Sequence, residues 1–402
     1  MRISLLAIVL TCIFYSPSCH SRPESTNNEQ PKVVPPVILR PIDAGWNEHG
    51  EISIDSTKLH LPPGNEFSGA QFVDAETGWV FSHKLLFRTT DAAKSWTRLP
   101  LVLSEDSSVT SIFFMDRERG WLSSHVRLIL KPEDNANTST IFVTSDGGLS
   151  WSEQLTFRDR VEIKQLKFFD ANRGFAIGSR SKPPFEEIFV AKTTDGGKSW
   201  IDISEKLKTA LTAGRSPGGE ACDLHWLSSN EILLLLPAGT IVATSDGGQT
   251  WKTTFRFQDE RPGGWVSSTS YYKLVFDPQQ RFSVIAGAMG DEGYWGDFVV
   301  RNDQNTWLSY ELPGVPIFDA AFVSGNEVLA CGVELYPSNG KSANRAVGVL
   351  LYSSDSGKNW SSIYRSKSPE AFTHLSKIAD RQFYAVSDAG TVLRFTLERN
   401  KP

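Results

Sequence analysis

Apolar and polar positions along this chain fall into short runs that recur in one order. Three passages, AQFVDAETGWVFS (70–82), SIFFMDRERGWLSS (111–124) and LKFFDANRGFAIGS (166–179), each hold an apolar strand, a turn containing Asp, and Gly with an aromatic residue opening a second strand. A third strand, such as TIFVTS (140–145) or TIVATS (240–245), runs into a polar octet, and a fourth, such as SWTRLPL (95–101) or TWKTTFRF (250–257), leaves it. Apolar runs of this length bounded by Gly, Asp and Ser clusters are the pattern of strands joined by tight turns. Each unit therefore reads as a four-stranded antiparallel meander.

The octet sets the period. TSDGGLSW (144–151), TTDGGKSW (193–200) and TSDGGQTW (244–251) are full copies, TTDAAKSW (89–96) and SSDSGKNW (353–360) are weakened, and RNDQNTW (301–307) has Asn302 before Asp303 where the pattern decays. The closing tryptophans stand at 96, 151, 200, 251, 307 and 360, about fifty residues apart. Self-similarity at that spacing signals units that cannot bury their faces alone and must stack, here radially. Six units begin near Ser68, Val109, Val161, Gly219, Ser268 and Val315, and a seventh, 372–398, supplies three strands. The segment DSTKLHLPPG (55–64) is the expected fourth strand of that last unit, closing the ring and removing its open edges. The fold expected is an all-β, seven-bladed propeller of four-stranded antiparallel blades.

Within the octet, the Asp is placed to accept backbone N–H groups a few residues on, the glycines supply positive φ, and the Trp folds back over the hairpin. The octet positions Asp91, Trp96, Asp146, Trp151, Asp195, Trp200, Asp246, Trp251, Asp355 and Trp360 are therefore structural candidates. These residues resemble the Asp-box family of β-propellers, which includes sialidases, sortilin-type receptors and photosystem II stability/assembly factors. The resemblance covers about residues 55–399. The whole-blade phrase is most similar to that of the assembly factors, which implies an exported, non-catalytic scaffold that docks on other proteins.

Composition narrows the classes. With 402 residues, 40% hydrophobic and 22% charged, the chain can bury a large core. Its net charge of −5 and the lack of a Lys/Arg block leave no footprint for a phosphate backbone, so nucleic acid is not an expected partner. Residues 1–18, with Arg2 before an apolar run from Ile3 to about Tyr15, read as an export signal, and the polar, Pro-rich stretch 19–50 as a linker to a propeller domain at 51–399. Ser16-Pro17-Ser18 before Cys19 resembles a lipoprotein cleavage box, although Ser16 replaces the usual Leu. Lipidation at Cys19 and ordinary signal cleavage both stay open, and either implies a periplasmic or membrane-anchored bacterial protein. Cys222 and Cys331 lie about a hundred residues apart and read as separate thiols.

Catalytic and metal signatures are weak. Sialidases of this fold carry an early Arg-Ile-Pro, whereas this chain has Leu39-Arg40-Pro41-Ile42, in the wrong order and ahead of the first blade. Gly214-Arg215-Ser216-Pro217-Gly218 matches a nucleophile elbow in letters only, because Pro217 lacks the N–H an oxyanion hole needs. The seven histidines are scattered, and no His-Glu-x-x-His or Cys-x-x-Cys occurs. His225, beside Trp226, reads as a packed side chain. Asp291, Glu292 and Asp297, with Tyr294 and Trp295, form an acidic, aromatic loop that is either simply solvated or a calcium or sugar site. No metal and no cofactor is expected.

Insertions mark one face. The longest connections between second and third strands are 127–140, 179–187, 289–297 and 333–346, on the side opposite the octets. Loops on a rigid scaffold carry binding residues disproportionately. This face is the expected docking surface for a protein partner, with Arg127, Lys131, Arg180, Lys182, Lys341 and Arg345 as its cations and Tyr294, Trp295 and Tyr336 as aromatic anchors. The alternative is a sialidase-like glycoside hydrolase or carbohydrate-binding propeller, with Glu162 or Glu220 at the channel mouth.

Overall fold

The computed structural model describes residues 52–62, 65–101, 103–126, 138–182, 185–211, 222–256, 269–290, 293–301, 307–336 and 345–398. Twenty-eight strands form seven separate four-stranded antiparallel sheets, each a consecutive meander except the last. Blade 2 is typical, with strands Ser107–Phe114, Gly120–Val126, Thr138–Thr144 and Ser152–Phe157. First strands of neighbouring blades lie side by side around the ring.

Blade 7 contains Phe372–Ala379, Gln382–Ser387 and Thr391–Leu397, and its fourth strand is Ile52–Lys58. The ring thus closes with the N-terminal strand, in a register running from Ile52 opposite Leu397 to Lys58 opposite Thr391. The strand lies a few residues ahead of the expected 55–64. Ile52 and Ile54 alternate onto the core side of blade 7, and past Lys58 the chain leaves to Pro62, whose ring nitrogen has no proton to donate to a ladder.

The octets do what their composition implies. In blade 3, Asp195 accepts the backbone N–H of Ser199 at 2.9 Å and its hydroxyl at 2.5 Å, and Thr193 donates to the same carboxylate at 2.8 Å. Gly196 and Gly197 hold φ of 77° and 89°, and a Cβ on Gly197 would stand 2.4 Å from Gln154 Oε1. Two weakened copies keep this shape with fewer glycines: Ala92 and Ala93 sit at φ of 65° and 64°, and Ser356 at 62° precedes Gly357 at 86°. That strain is retained because the surrounding bonds over-determine it: Ala93 N–H donates to Thr89 Oγ1 at 3.0 Å and Ala92 N–H to Glu76 O at 3.0 Å.

The octets of blades 2 and 3 also fasten one blade to the next. Trp79 of blade 1 donates its indole N–H to Gly147 O in the octet of blade 2, and Trp121 of blade 2 to Gly196 O in that of blade 3, at 3.0 and 3.1 Å. The same tryptophans stack flat on Phe114 and Phe168, the last residues of the next blades' first strands, with centroids 3.6 and 3.7 Å apart. The octet tryptophans Trp151 and Trp200 then meet those phenylalanines edge-on. Blade 7 meets blade 1 likewise, with Tyr384 stacked on Phe72 at 3.8 Å and Trp96 edge-on to Phe72. Aromatic pairs in these geometries add stability beyond burial alone.

Candidate docking face

Strand direction places the second-to-third hairpins and the blade-to-blade connections on the side opposite the octets. In blade 1 that hairpin is a tight turn, Ser82–Leu85. In blades 3, 5 and 6 the described residues of the expected loops are instead strand. The blade 3 hairpin stays paired to Lys182 opposite Phe185, that of blade 5 to Gly290 opposite Gly293, and that of blade 6 to Tyr336 opposite Arg345. The described parts of these insertions are therefore two-stranded ribbons that continue the blade hairpins, because Val, Ile and aromatic residues on both arms favour continued pairing over a loop.

Tyr294, Trp295, Tyr336 and Arg345 lie on these ribbons rather than in loops. Asp297, expected in the same acidic loop, is a fully buried strand residue that accepts a hydrogen bond from Ser309 at 3.1 Å. Arg127, Lys131, Lys341, Asp291, Glu292, Glu220, Asn302, Asp303 and the 214–218 stretch lie outside the described residues, as do the signal, the linker and Cys19.

Arg180 and Lys182 are not free cations. Arg180 donates to Asp202 at 2.6 Å and lies over the Phe189 ring at 5.1 Å. Lys182 pairs with Glu187 at 3.2 Å, which Lys208 also approaches at 3.6 Å. Asp202 also accepts the Ser204 N–H at 2.9 Å and the Ser204 hydroxyl at 2.6 Å, just ahead of the short helix Ser204–Lys208. Burial tends to raise the Asp202 pKa, but the Ser204 and Arg180 hydrogen bonds outweigh it, so the carboxylate stays ionised. Lys182 keeps 66% of its side chain exposed, whereas Arg180 keeps 23%. Only the former has its charge well placed for an incoming partner.

A basic sector beside blade 3 escaped the sequence reading. His83 and Lys84 form the blade 1 turn, with Lys84 Nζ donating to Ser104 O, Glu105 O and Ser107 O. Burial, then the charges of Lys164 and Lys84, depress the His83 pKa. Lys164 pairs with Glu162 at 2.7 Å, which makes Glu162 an ion-paired carboxylate. Nothing in their spacing relates these residues, because they meet only across blades.

The inner strands hold a second unforeseen feature, an alternating chain of charges. Lys167 of blade 3 pairs with Asp223 of blade 4 at 2.6 Å, and Lys273 of blade 5 with Asp319 of blade 6 at 2.5 Å. Asp223 also accepts the Leu274 N–H at 2.9 Å and Asp319 the Leu375 N–H at 3.0 Å, each across a blade boundary. Burial would raise the Asp223 pKa, but Lys167 and Lys273 together hold it below the usual value. His225, stacked 3.5 Å from Phe276, is the packed side chain expected, and burial and Lys167 bring its pKa to about 4. Every carboxylate in this chain is occupied by lysine and backbone, so it is cross-bracing between blades. Among the described residues, no group of three His, Cys, Asp or Glu side chains could hold a metal ion.

No family model matches the chain. Over 352 residues it is 23% identical to the photosystem II assembly protein Ycf48 of Thermosynechococcus vestitus, covering 85% of this chain and 84% of that protein. A solved Ycf48 bound to D1 peptide superposes with a TM-score of 0.58 at 20% identity, over 86% of this chain and 97% of the other. The chain is similar to Ycf48 in sequence and in fold. The Ycf48 likeness spans the whole ring rather than one repeat. A xyloglucanase of the GH74 type from Xanthomonas campestris also superposes, with a TM-score of 0.56 at 13% identity. That superposition covers 84% of this chain and 53% of the enzyme, and it shares the fold.

Proposed function

We propose that the chain is a non-catalytic protein-binding propeller that acts as an assembly or stability factor. The observation that carries this reading is the sequence likeness to an assembly protein along 352 residues, with both chains covered almost equally. A relative of the same fold is bound to a peptide, which fits a scaffold that holds a segment of its client. The docking surface in this reading is the ribbon-bearing face, where the hairpins of blades 3, 5 and 6 continue as paired strand and Lys84, Lys164 and Lys182 supply cations within an acidic protein. Rigid, preformed hairpins lose little conformational entropy on binding. The protein is exported by its N-terminal segment, and Cys19 is the residue that would carry a lipid anchor.

Cross-linking of the tagged full chain in its native envelope, followed by peptide mapping, tests this. The reading requires a protein partner whose cross-links fall on Lys84, Lys164 and Lys182. Cross-links confined to Lys94, Lys198 and Lys358 on the octet face would reverse the assigned face. Hydrolysis of a chromogenic glycoside with no partner recovered would favour the enzyme alternative.

A further inference from the structure

Blade 7 differs from the other six in how its outer strand is held. In blades 1, 2, 3, 4 and 6 an octet hairpin joins the third strand to the fourth, as Asp195 and Asp146 do in blades 3 and 2. In blade 7 the fourth strand arrives from far away in sequence, with Lys58 and Thr391 separated by 333 positions. Ile52–Lys58 has no fully buried residue, yet it covers a strand whose Val392, Leu393, Phe395 and Leu397 are buried. Its attachment is a seven-residue ladder, the packing of Ile52 and Ile54, and one polar latch.

The latch is specific. Lys58 Nζ donates to Thr391 Oγ1 at 2.9 Å and reaches Glu370 Oε2 at 3.5 Å. Glu370, with 4% of its side chain exposed, also accepts the hydroxyls of Ser387 at 2.8 Å and Thr391 at 2.5 Å. A strand lacking the lysine would leave that buried carboxylate without its cation, a costly arrangement. Any strand replacing Ile52–Lys58 must therefore present two aliphatic residues on the core side and a cation at its end, which an identical chain does.

A few backbone bonds hold the hinge against blade 7. Leu59 N–H donates to Gly390 O at 2.8 Å and Phe67 N–H to Asp388 O at 2.9 Å, while Asn65 turns back on Pro62 O at 3.1 Å. The hinge sequence Leu61-Pro62-Pro63-Gly64 includes two prolines, which favour extended backbone. Opening this turn carries the strand away from its own blade 7 while its sequence stays competent for the same ladder elsewhere. Short hinges that compete with an extended form invite exchange of the element beyond them.

We propose that the outer edge of blade 7 is a strand-acceptor site, and that a second copy of this chain can occupy it by donating its own Ile52–Lys58, giving a strand-exchanged dimer. The contacts made in trans are those made in cis, so concentration and the hinge decide between them. The site is independent of the ribbon-bearing docking face.

The test uses two differently tagged full-length chains, one carrying Asp55→Cys and the other Arg394→Cys, positions that face each other in the register. Equal mixtures are opened briefly in mild urea, returned to buffer at a series of concentrations, oxidised, and read as disulfide-linked heterodimer on denaturing gels. While the dimer is scarce, a tenfold rise in concentration raises the linked fraction about tenfold, as mass action requires. A synthetic peptide with the sequence of residues 50–60 suppresses the link, and its Lys58→Ala version suppresses it less. The proposal is overturned if no link forms at any concentration. It is equally overturned if Asp55→Cys links as readily to a cysteine at Arg98 on the outer strand of blade 1, which marks random collision.

Discussion

The indole N–H of Trp121, in the second strand of blade 2, donates to the carbonyl of Gly196 in the octet of blade 3 across 3.1 Å. The octet is therefore an inter-blade clasp as well as a hairpin clasp, since the same Gly196 ties its own blade's first turn through its N–H to Asn172 O at 2.9 Å. Trp121→Phe keeps the stack on Phe168 and removes one of the two donors to Gly196 O, leaving Gln154 Nε2 at 3.1 Å as the other. It should destabilise the fold by about 1 kcal/mol in chemical unfolding. Asp195→Ala should also lower the melting temperature. Neither change should affect partner capture, and an Asp195→Ala protein that melts like wild type but loses its partner would make the octet a functional element.

Two buried groups give pH dependences of opposite sign. Burial, with Glu66 and Glu370 nearby, raises the Asp388 pKa from 3.8 to about 6, while the Ala371 N–H it accepts at 2.9 Å works the other way. The folded state thus holds this proton more tightly than the unfolded chain. The resulting stabilisation is complete below about pH 4 and fades as pH rises through 6. Burial holds His374 neutral, with a pKa of about 4 against an ordinary 6.5, so its unfavourable term grows as pH falls from 6.5 to 4. Melting curves across pH should show Asp388→Asn raising stability at pH 7 and making little difference at pH 4. His374→Gln should flatten the loss between pH 6.5 and 4. The same sign for both variants would contradict these assignments.

Ring closure makes a sharper forecast. A chain lacking residues 1–65 loses Ile52–Lys58, exposes the edge of Thr391–Leu397 and leaves Glu370 without Lys58. It should aggregate or melt earlier than the full chain. A chain lacking residues 1–40 retains the strand and should melt as the full chain does. Equal light scattering and melting for both truncations would mean that closure contributes little.

What was legible in the sequence was what is local. The octets and the strand order could be read because each depends on neighbours within one blade, and the N-terminal strand because the repeat count leaves blade 7 one strand short. Asp195 and Ser199 are four positions apart, and their bond follows from spacing. The ladder of Lys167, Asp223, Lys273 and Asp319 could not be read in the same way, since each bond spans a blade boundary and each residue alone resembles a solvated charge. The ribbons read as loops in sequence because Pro, Gly and charged residues near their tips hide the pairing that continues on both sides. Arg180 reads as a docking-face cation because its partner Asp202 sits beyond the next octet.

These placements change how the docking face should be probed. Reversing Arg180 would break its bond to Asp202 and its stacking on Phe189, mixing a local stability loss with any binding effect. Lys182→Glu is the cleaner reversal, because that side chain is mostly exposed and its pairing with Glu187 is a surface one. It should slow association at low salt and converge on wild type as salt is raised, since peripheral charges steer more than they hold. Tyr294→Ala with Trp295→Ala leaves the backbone register of the blade 5 ribbon available, with Met289 opposite Tyr294 and Ala288 opposite Trp295. If the aromatic pair anchors the partner, affinity should fall by more than about 1 kcal/mol, chiefly through faster dissociation, with the melting temperature little changed. Unchanged dissociation in the double variant would remove the blade 5 ribbon from the interface. Unchanged association for Lys182→Glu at low salt would remove blade 3 in turn.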